Sequence, residues 1–285
     1  VRFVDFIIPG AVTAKNIMFY IAVANSVFKI FNTALFLPFI GILERASIFL
    51  VPKKKGMIEM APKYLEEHLL NTPPIALEQA RRECVRMMEL CRVSVNGAVE
   101  GFKHKDAGSL KTVPVVERAV DNLQSAITQY LIELSQRNLS EEESQELPVL
   151  IHSVNDMERI GDHAVNVTEL TERVLEKRLN FSETAREELS GMWNELKGMI
   201  AETLEAMKDN DSSLAEKVLV REQRINRYQT DIKIAHIERL NNGKCDLLAG
   251  VVFVDMVDNL EKIGDHLTNI AQGIIGHMRW SARLH

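Results

Sequence analysis

Two short acidic stretches carry the residues of this sequence that are best suited to chemistry. They span residues 155–163 and 258–266, lie 103 positions apart, and both end in Ile-Gly-Asp-His. Residues four positions apart lie on one face of an α-helix. Each stretch therefore presents a Glu and an Asp together, in the pairs Glu158 with Asp162 and Glu261 with Asp265.

Two carboxylates on one helical face repel each other, at a cost of about a few tenths of a kcal/mol. One interpretation is that solvent, Arg159 and Lys262 offset this repulsion. The other is a bound cation, since carboxylate and amide oxygens suit magnesium, calcium, manganese or iron rather than zinc. Asp258 lies on the same stripe as the second pair and joins the candidate ligands. The repetition of the pattern favours the cation.

Each acidic stretch also contains a glycine, Gly161 in the first and Gly264 in the second. A glycine inside a helix costs up to about 1 kcal/mol relative to alanine. Its use in both copies predicts the close approach of a neighbouring helix or a ligand.

The sequence from Ile75 onward has the apolar spacing of amphipathic helices, with Pro and Gly between the segments. Ser140 followed by Glu143 is a capping-box pattern that predicts a helix start. We expect six long helices, at about residues 75–105, 115–137, 141–178, 183–208, 213–241 and 246–280. The predicted fold is all-α, a duplicated three-helix bundle over residues 75–280, with repeats at 75–179 and 182–280.

The middle helix of each predicted repeat carries polar residues that could face the acidic stretch. Glu117 and Asp121 form a further acidic pair, and 105 positions later Glu222 and Asn226 form a pair with one charge fewer. If the middle and last helices of a repeat pack side by side, each half offers four or more oxygen ligands. The alternative is two solvated faces bridged by basic side chains.

The first fifty residues differ from the rest. Residues 17–43 are mostly apolar, and Lys29 is their only charged residue. A membrane-spanning helix needs about 20 apolar residues, and the lysines at 53–55 resemble a cytoplasmic flank. We therefore expect a spanning helix within residues 1–50, a linker at 51–74, and an inner-membrane location with the helical domain on the cytoplasmic side. The alternative is a buried hydrophobic hairpin of a soluble protein.

Composition excludes several other classes. The formal net charge of −6 argues against a nucleic-acid partner. Three cysteines do not make a disulfide framework, and Cys84 and Cys91, seven apart on one helical face, are predicted to be core residues. The first residue is not Met, which suggests a piece of a longer chain.

The acidic stretches resemble the signature of the PhoU domain, on residues 158–166 (Glu-Arg-Ile-Gly-Asp-His-Ala-Val-Asn) and 261–266 (Glu-Lys-Ile-Gly-Asp-His). That family is a duplicated three-helix bundle that regulates phosphate uptake and whose acidic motifs bind multinuclear metal clusters. The resemblance implies a metal such as iron, manganese or magnesium. Its implied ligands are Glu158, Asp162, Glu261 and Asp265, with Glu117, Asp121 and Glu222 beside them. Asn226 departs from the acidic pattern.

The front segment resembles the last membrane span of bacterial sodium/phosphate cotransporters, on Ala14-Lys15, Phe28, Asn32 and the Leu-Phe-Leu-Pro-Phe run at 35–39. Some of those transporters carry a PhoU-like tail. The two resemblances together imply a metal-binding regulatory tail of a sodium-dependent phosphate transporter. The implied partners are the membrane, the rest of the transporter and, for a dimer, a second copy of the chain.

Two other functions compete with this interpretation. A structural bundle could dimerise or dock a partner without any metal. A carboxylate-bridged di-metal oxidase would need Glu-x-x-His on paired helices, and the acidic stretches contain no such motif. We therefore expect no enzymatic activity.

Overall fold

The computed structural model describes residues 17–36, 59–243 and 245–276, and every long regular element within them is an α-helix. A short 3-10 helix, Glu67–Asn71, precedes the six helices of the main body. The α-helices are α1 Ile17–Phe36, α2 Pro73–His104, α3 Ala107–Ser135, α4 Glu141–Glu176, α5 Glu183–Asp209, α6 Ser212–Asn241 and α7 Leu247–Gly276. The all-α prediction is confirmed.

Helix α1 belongs to a separate compact unit, Val1–Met57, and is described by itself. Its polar residues Asn25, Lys29 and Asn32 follow the spacing of one helical face and interrupt the apolar run. Within residues 17–36, 59–243 and 245–276, no helix combines the length and hydropathy needed to cross a membrane. The spanning helix is thus unsupported, and the predicted inner-membrane location is wrong. Residues 37–43 and the lysines at 53–55 lie outside the described residues.

The second unit, Ile58–His285, contains the two bundles. Helices α2, α3 and α4 pack together, as do α5, α6 and α7, and the halves meet where α4 packs on α7 and α2 on α5. Side chains such as Met87, Leu123 and Ile160 fill the first core, and Leu196, Met199 and Ile263 fill the second. This arrangement confirms the duplicated three-helix bundle.

Local capping signals explain most helix boundaries. The Ser140 hydroxyl accepts the Glu143 amide N–H at 3.2 Å, and the Glu143 carboxylate accepts the Ser140 amide N–H at 2.7 Å. This is the predicted capping box at the start of α4. Helix α3 instead begins eight residues earlier than predicted, because the Asp106 carboxylate caps the amides of Gly108 and Ser109 and the helix continues through Pro114.

Both predicted core cysteines are buried. The Cys91 thiol donates to the Met157 carbonyl oxygen at 3.2 Å and so links α2 to α4. Burial raises the pKa of the Cys84 thiol to about 12, which leaves this thiol protonated and unreactive.

Candidate metal centres and the junction between the halves

The first acidic group lies where α3 packs on α4. Burial, a hydrogen bond and charge from Asp121, and the charge of Asp162 together raise the pKa of Glu117 to about 7. Burial also raises the pKa of Glu158, with contributions from Asp162 and Asp121. The structure thus brings together the four carboxylates that the sequence placed on two separate helices, and their charges oppose one another.

Few cations compensate this first group. Arg159 lies 3.5 Å from both the Glu158 and the Asp162 carboxylates, and its side chain is 62% exposed. Exposed ion pairs of this length contribute little to stability. Arg118 acts on Glu117 in the same direction as Arg159 acts on Glu158, yet the pKa values of both carboxyls stay raised.

The second group, on α6 and α7, is better neutralised. The Lys262 ammonium lies 2.7 Å from the Asp265 carboxylate and 3.2 Å from that of Glu261. Burial and the charge of Asp265 nevertheless raise the pKa of Glu261, against the opposing effect of Lys262. The Asn226 amide donates to the Glu222 carboxylate at 2.5 Å. Asn226 thus stands where the first half has Asp121, and its amide is hydrogen-bonded to Glu222.

Asp258 occupies a different environment from the other predicted ligands. Its Oδ1 accepts the Gln229 side-chain amide at 2.9 Å and lies 2.5 Å from the Lys233 ammonium. In the first half, Asn155 accepts the Gln124 amide at 3.0 Å in the same way. The extra charge of Asp258 is therefore matched by a lysine of α6.

The donor chemistry of both groups fits a hard cation, since all candidate ligands offer oxygen. One buried oxygen, Asn226 Oδ1, accepts no hydrogen bond in the described structure, and the buried Glu261 Oε2 has only the Lys262 ammonium, 3.2 Å away, beside it. Over the same described ranges, no three His, Cys, Asp or Glu side chains are already arranged to hold a metal ion. Side-chain rotation would be needed to gather the oxygens around an ion.

The two glycines of the acidic stretches face neighbouring helices, as one of the two sequence interpretations predicts. A Cβ atom on Gly161 would lie 3.4 Å from Val120 Cγ1, and one on Gly264 would lie 3.5 Å from Ile225 Cδ1. These are ordinary van der Waals distances, so the helices approach closely without excluding a methyl group.

A polar junction between α4 and α7 was missed by the sequence analysis. His266 Nδ1 lies 2.8 Å from Asp156 Oδ1, and His163 Nδ1 lies 2.9 Å from Asn259 Oδ1. The two histidine rings stack, with centroids 5.6 Å apart and planes at 28°. The available signal was the repeat itself, because both histidines follow the repeated aspartates at the same spacing.

The fold and these groups define a class of protein: two three-helix bundles, each with an acidic stretch on its last helix. A family model described as the PhoU domain matches residues 84–171 and 189–274, more than half of the chain. The chain belongs to the PhoU domain family. Both acidic stretches lie inside the matched residues.

Individual relatives are distant. The chain is 25% identical over 205 residues to a phosphate-specific transport system accessory protein PhoU homolog of Clostridium acetobutylicum, covering 70% of this chain and 90% of the relative. It is 21% identical over 218 residues to a putative inorganic phosphate export protein of Salmonella typhimurium, covering 76% of this chain and 40% of the relative. The crystal structure of PhoU from Pseudomonas aeruginosa shares the fold, with a TM-score of 0.66 and 23% identity over 70% of this chain and 96% of that one.

Proposed function

We propose that this chain is a PhoU-like regulator of phosphate transport that acts on a phosphate transporter. The observation that carries the proposal is the match of the PhoU domain to both halves, each including its acidic stretch. The name of the Clostridium relative, an accessory protein of a phosphate-specific transport system, supports the transporter as partner. The proposal assigns no catalytic step to the chain.

A finer form of the proposal makes the transporter sodium-dependent and the bundle a part of its chain. The Salmonella relative supports the second part, because the match takes up 40% of a longer protein named for phosphate export. The resemblance of the front segment to sodium/phosphate cotransporters supports both parts of this finer proposal.

We further propose that the acidic groups bind a metal cation such as iron, manganese or magnesium. Glu117, Asp121, Glu158 and Asp162 would hold it between α3 and α4, where burial and then the neighbouring carboxylates raise the pKa values of Glu117 and Glu158. Glu222, Glu261 and Asp265 would hold it between α6 and α7, with Asp258 at the edge of that group. A bound cation would supply the positive charge that stabilises the ionised carboxylates.

Phosphate uptake tests the regulatory role. Cells that express the protein are compared with cells in which residues 75–276 are deleted, under phosphate-rich and phosphate-poor conditions. We expect the deletion to abolish the difference in uptake between the two conditions. Equal responses in the two strains would overturn the regulatory proposal.

Elemental analysis of the purified protein tests the metal independently. We expect bound metal in the wild type and its loss in the Asp162→Asn, Asp265→Asn double variant. Glu169→Gln, which changes an exposed acid on α4, is the matched control and should retain the metal. A metal-free wild type with normal regulation of uptake would instead support a docking module that needs no metal.

A further inference from the structure

The duplication creates two cavities, one at each end of the contact between α4 and α7. The Ser153 cavity, of about 1090 Å³, is lined by Ser153 and Ile270 among others. The Trp193 cavity, of about 290 Å³, is lined by Met256 and Val167 among others. Met256 lies 103 positions after Ser153, and Val167 lies 103 positions before Ile270. The two cavities thus occupy equivalent positions in the halves and can be compared directly.

The Trp193 cavity has an aromatic and aliphatic interior. Trp193 is only 3% exposed and Leu189 is also buried. The Phe102 and Phe181 rings lie beside them with centroids 5.7 Å apart. An apolar cavity of about 150 Å³ is already large enough to bind benzene. The Trp193 cavity can therefore accept a larger apolar group.

The charged residues around the Trp193 cavity are all basic: Lys103, Lys105 and Arg186. Lys103 Nζ lies 5.9 Å from the centre of the Trp193 ring. Neither lysine forms an ion pair with any residue in the described part of the chain. Among the residues that the structure describes, Arg186 has only an exposed ion pair of 3.6 Å with Glu183. The mouth of the cavity therefore carries an uncompensated positive charge.

The Ser153 cavity shows that this charge is not a necessary result of the fold. Lys208, 105 positions after Lys103, is the corresponding lysine in the Ser153 cavity. Its ammonium lies 2.7 Å from the Glu89 carboxylate. Arg81, which corresponds to Arg186, bonds to the carboxylates of both Glu78 and Glu146. Acidic residues thus neutralise the Ser153 cavity, whereas no acidic residue lines the Trp193 cavity among the described residues.

We propose that the Trp193 cavity binds a small anionic amphiphile of the medium-chain carboxylate class. Its apolar part packs against Phe102, Phe181 and Trp193, and its anionic group meets Lys103 and Lys105 at the mouth. Inorganic phosphate does not match this chemistry, because it has no apolar part to pack against the aromatic rings, and removing an anion from water against them is unfavourable. The site is separate from the acidic groups and independent of the proposed metal.

Trp193 fluorescence provides the test. Trp280 is the other tryptophan of the sequence, so the full chain carries Trp280→Phe throughout. We expect sodium decanoate to change the emission of Trp193 saturably. Lys103→Glu with Lys105→Glu should weaken decanoate binding by about tenfold or more, because like charges then meet at the mouth. Lys208→Glu, at the equivalent position of the Ser153 cavity, should leave the affinity within about twofold.

A second variant, Ser190→Leu, places a larger side chain on the cavity wall and should also weaken binding while both lysines remain. Circular dichroism confirms that each variant is folded. Four results would overturn the proposal: no saturable change with decanoate, unchanged affinity in the charge-reversed variant, unchanged affinity in Ser190→Leu, or equal binding of decyltrimethylammonium. Displacement of decanoate by an equal concentration of inorganic phosphate would also overturn it, since the anionic group alone would then account for binding.

Discussion

Asp156 on α4 and Asn259 on α7 stand at equivalent positions of the two halves and receive equivalent hydrogen bonds. Asp156 Oδ1 accepts the Asn269 amide at 3.0 Å, and Asn259 Oδ1 accepts the Asn166 amide at 3.1 Å. Each oxygen also meets a histidine of the opposite half. The two differ in charge, because only Asp156 is ionisable. The junction is thus symmetric in geometry and asymmetric in electrostatics.

Substitution of Asp156 should separate these two properties. Asp156→Asn keeps a side-chain oxygen and should lower the free energy of unfolding by about 1 kcal/mol, through loss of a charge-assisted bond. Asp156→Ala leaves the His266 and Asn269 donors unpaired and should cost about 2–3 kcal/mol. Urea denaturation measures both. Equal stability of the two variants would show that a neutral side-chain oxygen at position 156 contributes nothing to stability.

Glu117 should make the stability of the metal-free protein depend on pH. Its pKa is about 7 in the folded protein against an ordinary 4.5, so the folded state binds more protons between those values. Stability therefore falls as pH rises through this window. Glu117→Gln removes the effect, and its urea midpoint should exceed that of the wild type at about pH 8 and approach it at about pH 4. A pH-independent difference would contradict this prediction.

Two glycines of α7 should respond oppositely to alanine. Gly264→Ala adds a methyl group at ordinary contact distance from Ile225, and the gain in helix propensity should stabilise the protein by up to about 1 kcal/mol. Gly250→Ala would place its Cβ 2.6 Å from Nε2 of the buried His236 ring and should destabilise by about 1–3 kcal/mol. Thermal unfolding compares the two. Destabilisation by both would mean that α6 and α7 approach more closely at Gly264 than the structure shows.

Glu83 should anchor the segment before α2. This carboxylate is fully buried, and its Oε2 accepts the amides of Lys63 and Tyr64, each at 2.8 Å. Its Oε1 accepts Arg86 Nε at 2.5 Å. Glu83→Ala leaves two amides unpaired and removes the counter-ion of Arg86, which keeps its bonds to the carbonyl oxygens of residues 59 and 61. It should cost about 3–5 kcal/mol. It should also expose residues 59–64 to limited proteolysis.

The matched control for Glu83 is Glu188, which lies 105 positions later. Glu188 forms a bidentate pair with Arg239, with both distances 2.8 Å, and its side chain is 20% exposed. Glu188→Ala should therefore cost less, about 1–2 kcal/mol. A larger loss for Glu188→Ala than for Glu83→Ala would contradict the anchoring role.

Sequence-based interpretation succeeded at some of the local signals. Ser140 and Glu143 cap α4 as expected, since both partners lie within one turn. It missed the start of α3, because Val113-Pro114 resembles a break while the Asp106 cap lies further upstream. It also predicted a spanning helix within residues 1–50, whereas no helix among the described residues has the length and hydropathy needed to cross a membrane.

The sequence by itself determined the helices, the duplication and the pairs of acidic residues on single helical faces, because these follow from apolar spacing and contacts within one or two turns. Only the tertiary structure decided which partner each side chain meets. It placed Asp258 against Lys233 of α6, His266 against Asp156 of the other half, and Lys103 over Trp193. The physical reason is that such contacts depend on how neighbouring helices are rotated and shifted along one another. Helical periodicity constrains which face is buried but does not set that rotation or shift.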